Sequence, residues 1–218
     1  MEFFKKTMRA SPYLGVFCSL NEKYLVYPNT AEKKELKELN KMCGELVPAT
    51  IASSSLIGVF SKSLDEKILV THLIEKNEKK NLEKAGMEVK EIDLTAIGNL
   101  IALNENGGIA SPLISKKQVK EAEDFFGVKF TVTKIGGSDL TGSCICVTNK
   151  GFIIHPNIAE KEFSLLEKIF KVKGAPTTAN YGDKFVGNSV LANTKGIIAG
   201  MLTTGPELAR IDEGLNGE

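Results

Sequence analysis

A closed ring of five ββαβ units, a five-fold pseudosymmetric α/β propeller, is the fold this sequence predicts. Three observations predict it. A strand, turn, strand stretch recurs five times; each copy opens on a glycine that follows an apolar residue; and a surplus strand at the start of the chain matches a missing one at its end.

The clearest copy is LTGSCICVTNKGFIIHP, Leu140 to Pro156. Ser143 to Val147 is apolar and β-rich, Asn149-Lys150-Gly151 supplies turn chemistry, and Phe152 to Ile154 resumes the strand. The other copies are YLGVFCSLNEKYLVYP from Tyr13, LIGVFSKSLDEKILVTH from Leu56, AIGNLIALNENGGIASP from Ala96 and FVGNSVLANTKGIIAG from Phe185. Their glycines, Gly15, Gly58, Gly98, Gly142 and Gly187, stand 43, 40, 44 and 45 residues apart. A glycine inside a strand marks close backbone approach, so these five imply five strands crowding a common axis.

A one-sided helix follows each hairpin. The spacing of apolar residues predicts helices over Ala31 to Met42, with Leu36, Leu39 and Cys43 on one face and Gly44 as the stop, and over Glu78 to Ala85 before Gly86. Three more are expected over Lys116 to Phe126 before Gly127, Glu160 to Lys171, and Pro206 to Gly214. An extended segment such as ELVPATIA, Glu45 to Ala52, completes each unit. The units fall at about 11–52, 53–95, 96–137, 138–180 and 181–218 plus 2–9, within a single domain 1–218. Unit five ends on its helix, whereas Glu2 to Arg9 precedes unit one with no helix of its own. Thr7 stands eight residues before Gly15 as Thr50 does before Gly58, so the N-terminal strand is expected to complete unit five and remove the open sheet edges of a linear array.

Composition narrows the function. Lys+Arg is 28 against Asp+Glu 27, a net charge of +1, which argues against a protein whose affinity rests on phosphate contacts. Only Arg9 and Arg210 are arginines, so the bidentate phosphate fork is scarce. No apolar run approaches a membrane span and the first residues carry no signal-peptide core, so a cytoplasmic protein without membrane partners is expected.

Metal and nucleotide chemistry find little support. Cys18, Cys43, Cys144 and Cys146 contain no C-x-x-C pair, and His72 and His155 lie at strand ends far from them; buried, reduced thiols and no metal site are expected. GSDLTGS, Gly137 to Ser143, has the glycine spacing of a phosphate loop without its lysine. TTGPEL reads as a helix start, with Thr204 or Gly205 at the cap, Pro206 in the first turn and Glu207 facing the dipole. No cofactor is expected.

Five such units with a closing N-terminal strand resemble the pentein fold, and the wording of the motifs is more specific. TAIGN from Thr95 followed by Asn104, GGIASP ahead of a helix, VTNKGFIIHP, TANYG from Thr178, LANTKG and TTGPELARI from Thr203 resemble the archaeal translation initiation factor 6 family across nearly the whole chain. The resemblance implies a monomeric, non-catalytic factor that binds the large ribosomal subunit near the sarcin-ricin loop and keeps the small subunit from joining. It implies contact chiefly with a ribosomal protein and secondarily with rRNA. The expected binding residues are Gly15, Val59, Asn99, Asn104, Cys144, Asn149, Gly187, Asn188 and Asn193, at strand starts and hairpin turns. On this reading Asn104→Lys or Gly187→Arg weakens binding while melting stays near wild type, and Lys79→Glu and Lys80→Glu on an outer helix are silent. Unit two departs from the pattern, with Ser63-Leu64-Asp65 where other units carry Asn21, Asn104, Asn149 or Asn193.

Two alternatives stand beside this one. Pentein relatives include hydrolases of guanidino compounds, which use a late cysteine with a histidine and acidic partners at the ring centre; here unit five, Phe185 to Glu218, has neither Cys nor His. The other is a binding scaffold without a ribosomal role.

Overall fold

The computed structural model of the chain describes residues 2–37, 39–42 and 44–217, apart from the side chain of Asn40. Among them lie fifteen strands in five three-stranded sheets. Strand β1 (Glu2–Lys6) opens the chain. Unit one holds β2 (Ser19–Leu20), β3 (Tyr24–Pro28) and β4 (Glu45–Ala49), and unit two holds β5 (Ser61–Leu64), β6 (Lys67–Thr71) and β7 (Glu88–Ile92). Units three and four hold β8 (Ile101–Leu103), β9 (Gly108–Ala110), β10 (Phe130–Val132), β11 (Ile145–Val147), β12 (Gly151–Ile154) and β13 (Lys173–Pro176). Unit five has β14 (Val190–Ala192) and β15 (Gly196–Gly200), and its third strand is β1, paired in parallel from Glu2↔Gly196 to Lys6↔Gly200. The surplus strand fills the deficit as the sequence predicts.

Each sheet has one plan. The first two strands form an antiparallel hairpin, and the third lies parallel to the second, reached through a helical crossover in units one to four and supplied by β1 in unit five. Four helices lie within two residues of their expected bounds at both ends: Lys76–Lys84, Lys116–Phe126, Glu160–Phe170 and Gly205–Asn216. The last, Gly205–Asn216, starts one residue early and runs two residues further than expected. Gly127 takes the left-handed conformation at φ 78° that ends the third.

The helix of unit one is the exception. It is a single turn, Lys33–Leu36, followed by a short 3-10 turn at Leu39–Lys41. Its end bends toward unit five, where Asn193 Nδ2 donates to the Met42 carbonyl, so that carbonyl is satisfied without a continuing helix. Gly44 is no helix stop: its N–H donates to the Lys23 carbonyl as the chain enters β4. Cys43, placed on the helix face by sequence, lies outside the described residues.

The five repeat glycines are also not in strands. Four sit in four-residue helical turns, Leu14–Phe17, Ile57–Phe60, Ile97–Leu100 and Val186–Ser189, and Gly142 lies in the turn at 141–144 that precedes β11. The apolar residues run on from turn into strand, so periodicity alone cannot separate them. The crowding itself holds. A Cβ on Gly58 would overlap the Gly15 carbonyl, one on Gly98 that of Gly58, one on Gly142 that of Gly98, one on Gly187 that of Gly142, and one on Gly15 that of Gly187. The contacts return to their start, so the five turns form a closed circuit about the axis.

Packing closes the same circuit. Each of five cores is shared by neighbouring units: Tyr24, Val26 and Val47 of unit one with Ile68, Val70 and Leu82 of unit two; Leu69 of unit two with Ile101 and Phe126 of unit three. Ala102 and Ile109 of unit three pack with Phe152, Leu166 and Phe170 of unit four, and Ile153 of unit four packs with Val190, Ile197 and Ile211 of unit five. The last core joins Leu191 and Ile198 of unit five to Met8, Leu14, Leu25 and Met42. One unit alone cannot bury its apolar face; the ring supplies each with a partner.

Candidate functional site

The ring has two poles. Strands β2, β5, β8, β11 and β14 run from the glycine turns to the hairpin tips, and the second strands run back. The expected binding residues therefore divide. Gly15, Val59, Asn99, Gly187 and Asn188 are partly buried at the glycine pole, Asn104, Asn149 and Asn193 belong to the hairpin pole, and Cys144 is fully buried. No single flat surface touches all nine.

At the hairpin pole the asparagines are structural before they are anything else. Asn104 Oδ1 accepts from Asn106 N at 3.0 Å and Gly107 N at 3.2 Å, shaping its own turn, while its Nδ2 donates to the Thr148 and Phe170 carbonyls of unit four, both at 3.0 Å. Asn193 repeats this toward unit one, accepting from Lys195 N and Gly196 N and donating to the Asn21 and Met42 carbonyls. Asn21 does so toward unit two, with Nδ2 donating to Ser63 Oγ and the Asp65 carbonyl. All three are at least nine-tenths buried, and their full set of partners makes them costly to replace.

Asn149 is not their equivalent. That position in unit four is Thr148, whose Oγ1 accepts from Lys150 N and Gly151 N, both at 3.1 Å. Asn149 stands one residue further out and pairs with Glu105 of unit three through Nδ2 and Oδ1. In unit two Leu64 occupies the position and no amide reaches unit three; there Lys67 Nζ donates to the Phe125 carbonyl at 2.7 Å and lies over the Phe125 ring. Neighbouring tips are thus welded together, and Lys150 Nζ to the Thr194 carbonyl adds the unit four to five link.

A second repeated device escapes the hairpin motif. Twenty residues after each glycine stands Glu35, Glu78, Gln118, Glu162 or Glu207. Each is the third residue of its helix and caps it, accepting the N–H of Glu32, Glu75, Ser115, Ala159 or Thr204. The four glutamates also reach the inter-unit turns, where Arg9, Ala10, Ala52, Ser53, Asn180 and Tyr181 hold positive φ. Glu78 accepts from Ala52 N and Ser53 N, and Glu207 from Tyr181 N, Gly182 N and Thr178 Oγ1. Burial pushes the Glu207 carboxyl up, but these bonds and those from Thr204 outweigh it and hold it down at about 2. Glu78 is lowered by the same balance. Gln118 fits the exception: at the unit two to three junction the group to be held is the Asp93 carbonyl, which an amide Nε2 can donate to and a carboxylate cannot.

The glycine pole looks different. Exposed apolar side chains ring it, among them Tyr181 at 84%, Leu113 at 64% and Leu202 at 59%. Leu73, Leu113 and Leu202 hold the same position in units two, three and five, so they are spread around the ring instead of gathered into one patch.

Between the poles the axis is hollow. Cys18 and Cys146 line its inner cavity, and no histidine or carboxylate does. Cys18, Cys144 and Cys146 are free thiols, Cys43 lying outside the described residues. Burial pushes Cys144 and Cys146 up to about 11 and Cys18 higher still, so all three are protonated at neutral pH. His155 is buried off the axis, with Nδ1 accepting from Asn157 N. No group of three or more potential metal ligands occurs among the described residues, and none of their helices is long and apolar enough to cross a membrane.

Translation initiation factor 6 of Pyrococcus abyssi is 33% identical over 94% of both chains, and that of Thermococcus onnurineus is 34% identical over 99% of this chain and 98% of its own. The Staphylothermus marinus factor of the same name is 33% identical over 100% and 99%. Among solved structures, a dimethylarginine dimethylaminohydrolase from Pseudomonas aeruginosa is similar with a TM-score of 0.46 at 14% identity, covering 94% of this chain and 73% of that one. The family model described as the eIF-6 family matches residues 4–214, and the chain belongs to that family.

Proposed function

We propose that the chain binds the large ribosomal subunit near the sarcin-ricin loop through its hairpin pole and keeps the small subunit from joining, as a monomeric factor without chemistry of its own. The observation that carries this is family membership over residues 4–214, with relatives named translation initiation factors over nearly their whole length. It supports a role in translation initiation. The geometry supports the finer reading. A surface whose tips are fixed to one another before any partner arrives loses little freedom on docking, and steric blocking needs only a rigid body. The outward groups at the tips, among them Lys23, Glu66, Glu105, Asn149, Lys150 and Lys195, are amides and charges of both signs, which suits a protein surface first and rRNA second. The axial thiols, protonated and without a histidine or carboxylate beside them in the inner cavity, support a binding role over guanidino hydrolysis. One domain of five repeats, with no cofactor, suffices for it.

The test is sedimentation of the purified chain with isolated subunits. The chain is expected to pellet with large subunits and not with small ones, to lower the yield of joined ribosomes in proportion to its occupancy, and to lose affinity only gradually with added salt. Equal pelleting with both subunits, or binding without any effect on joining, would contradict the proposal.

The structure also changes which substitutions can probe it. Gly187→Arg drives a side chain into the Gly142 and Ile145 carbonyls, and Asn104→Lys strips four buried hydrogen bonds. Both are expected to lower the melting point, so neither isolates binding from folding. Lys79 is tied to Glu91 at 2.8 Å on an outer helix face.

A further inference from the structure

The ring axis contains a lysine that the proposed function does not use. Two adjoining cavities share the axis, an inner one of about 60 Å³ beneath the glycine turns and an outer one of about 50 Å³ among the hairpin tips. One water occupies roughly 10–15 Å³ on this measure, so the inner cavity has room for an anion together with some of its hydration. Lys62 lines both and is the one cation that lines either among the described residues. Among the described residues no carboxylate forms an ion pair with it, and the Cys146 thiol near it is neutral at physiological pH. No carboxylate lines the inner cavity. Of the two in the outer one, Glu22 is occupied by Thr194 N at 2.9 Å and Thr194 Oγ1 at 2.6 Å, and Asp65 sits at the tip of the β5–β6 hairpin. Lys62 is half-buried, and a cation partly withdrawn from water without a counter-charge carries a desolvation cost.

Ser19 and Ser63 line the inner cavity with it. Ser63 Oγ accepts from Asn21 Nδ2 at 3.0 Å and lies 3.0 Å from Ser19 Oγ. With Ser63 donating to Ser19, the Ser19 proton is left free, and Ser19 lines the inner cavity. Asn188 lines it as well.

We propose that the axial cavity is a binding site for a small monovalent anion, of chloride to bicarbonate size, held by Lys62 Nζ and the Ser19 hydroxyl. Burial keeps the Lys62 ammonium below the usual lysine range, and an anion beside it offsets that penalty by giving the charge a partner. Lys62 comes from unit two, where the sequence departs from the other repeats, and Ser19 from unit one, and the site is independent of ribosome binding.

Thermal melting of the full chain at constant ionic strength tests it, with gluconate replaced stepwise by chloride, bromide or bicarbonate. Wild type and the surface control Lys80→Gln are expected to rise saturably by a few degrees, with the more effective of chloride and bicarbonate identifying the preferred anion. Lys62→Met is expected to fold and to show no anion dependence. Crystals grown in bromide should show an anomalous peak within hydrogen-bonding distance of Lys62 Nζ, a readout that stands even if the variant does not fold. A melting response unchanged in Lys62→Met, or bromide crystals without an axial peak, overturns the proposal.

Discussion

Deletion of residues 2–9 is expected to unfold unit five, and with it the ring. The segment supplies β1, whose five registered pairs cover one edge of β15, a strand buried at every residue. It also brings Phe3 and Phe4 against two different cores and buries Met8 in the one that joins units five and one. Losing those side chains alone costs on the order of 5 kcal/mol, before the newly exposed sheet edge is counted. Removing 216–218 instead takes away little more than the helix stop at Gly217. Circular dichroism melting distinguishes the two: the first truncation is expected to lack a cooperative transition or to melt far lower, the second to melt near wild type. Equal, small effects would contradict closure by β1.

Glu207→Ala is expected to be the most damaging single carboxylate substitution outside the axis. It frees the N–H groups of Tyr181, Gly182 and Thr204 and the hydroxyl of Thr178 at once, a loss of about 3 kcal/mol. For a chain of this length that is a fall in Tm of about 6–12 °C. Glu162→Ala, where the bond to Gly136 N is long at 3.4 Å, should cost about 1 kcal/mol. The pH dependence follows from sign. The folded Glu207 carboxyl is held at about 2, below its ordinary range, so its ionised form is favoured by folding. Its contribution is complete above about pH 5 and drains away as pH falls toward 2. The Tm difference between wild type and Glu207→Gln should therefore be constant above pH 5 and shrink below it; a difference that widens in acid would refute the assignment.

How much of this was legible in the chain depended on whether the signal was periodic. The five hairpins, the closing strand and the helix of unit three, Lys116–Phe126, follow from repeat spacing and turn chemistry, and the structure reproduces them. The glycine turns were read as strand because a four-residue helix of apolar residues leaves no pattern to separate it from the strand it feeds. The helix of unit one is shorter than its apolar spacing implies because its break answers a tertiary demand, the Asn193 bond to the Met42 carbonyl from neighbouring unit five. The glutamates twenty residues past each glycine were legible all along, at the spacing of the glycines themselves. Only Glu207 reads as a helix-start residue in the sequence, and the second task of all four is hidden there because the turns they hold are distant in sequence.

The hairpin asparagines are legible as turn residues, and their directions are not. Asn104, Asn149 and Asn193 look alike as turn residues, yet only packing shows that two of them face inward to weld neighbouring units and one faces out. Strand direction then separates this set from Gly15, Val59, Asn99, Gly187 and Asn188, which lie at the opposite end of the same strands.

The most direct test of the account is therefore a comparison of the two poles by co-sedimentation with large subunits. Asn149→Arg and Lys150→Glu alter hairpin-tip side chains, the first half-buried beside Glu105 and the second exposed, whereas Leu113→Arg and Tyr181→Arg alter exposed side chains of the glycine pole. The first pair is expected to weaken binding at least tenfold, about 1.4 kcal/mol, and the second to bind as wild type, with all four melting near the parent protein. Retained binding in the hairpin pair together with loss in the glycine pair would place the docking face on the other side of the ring and contradict the account.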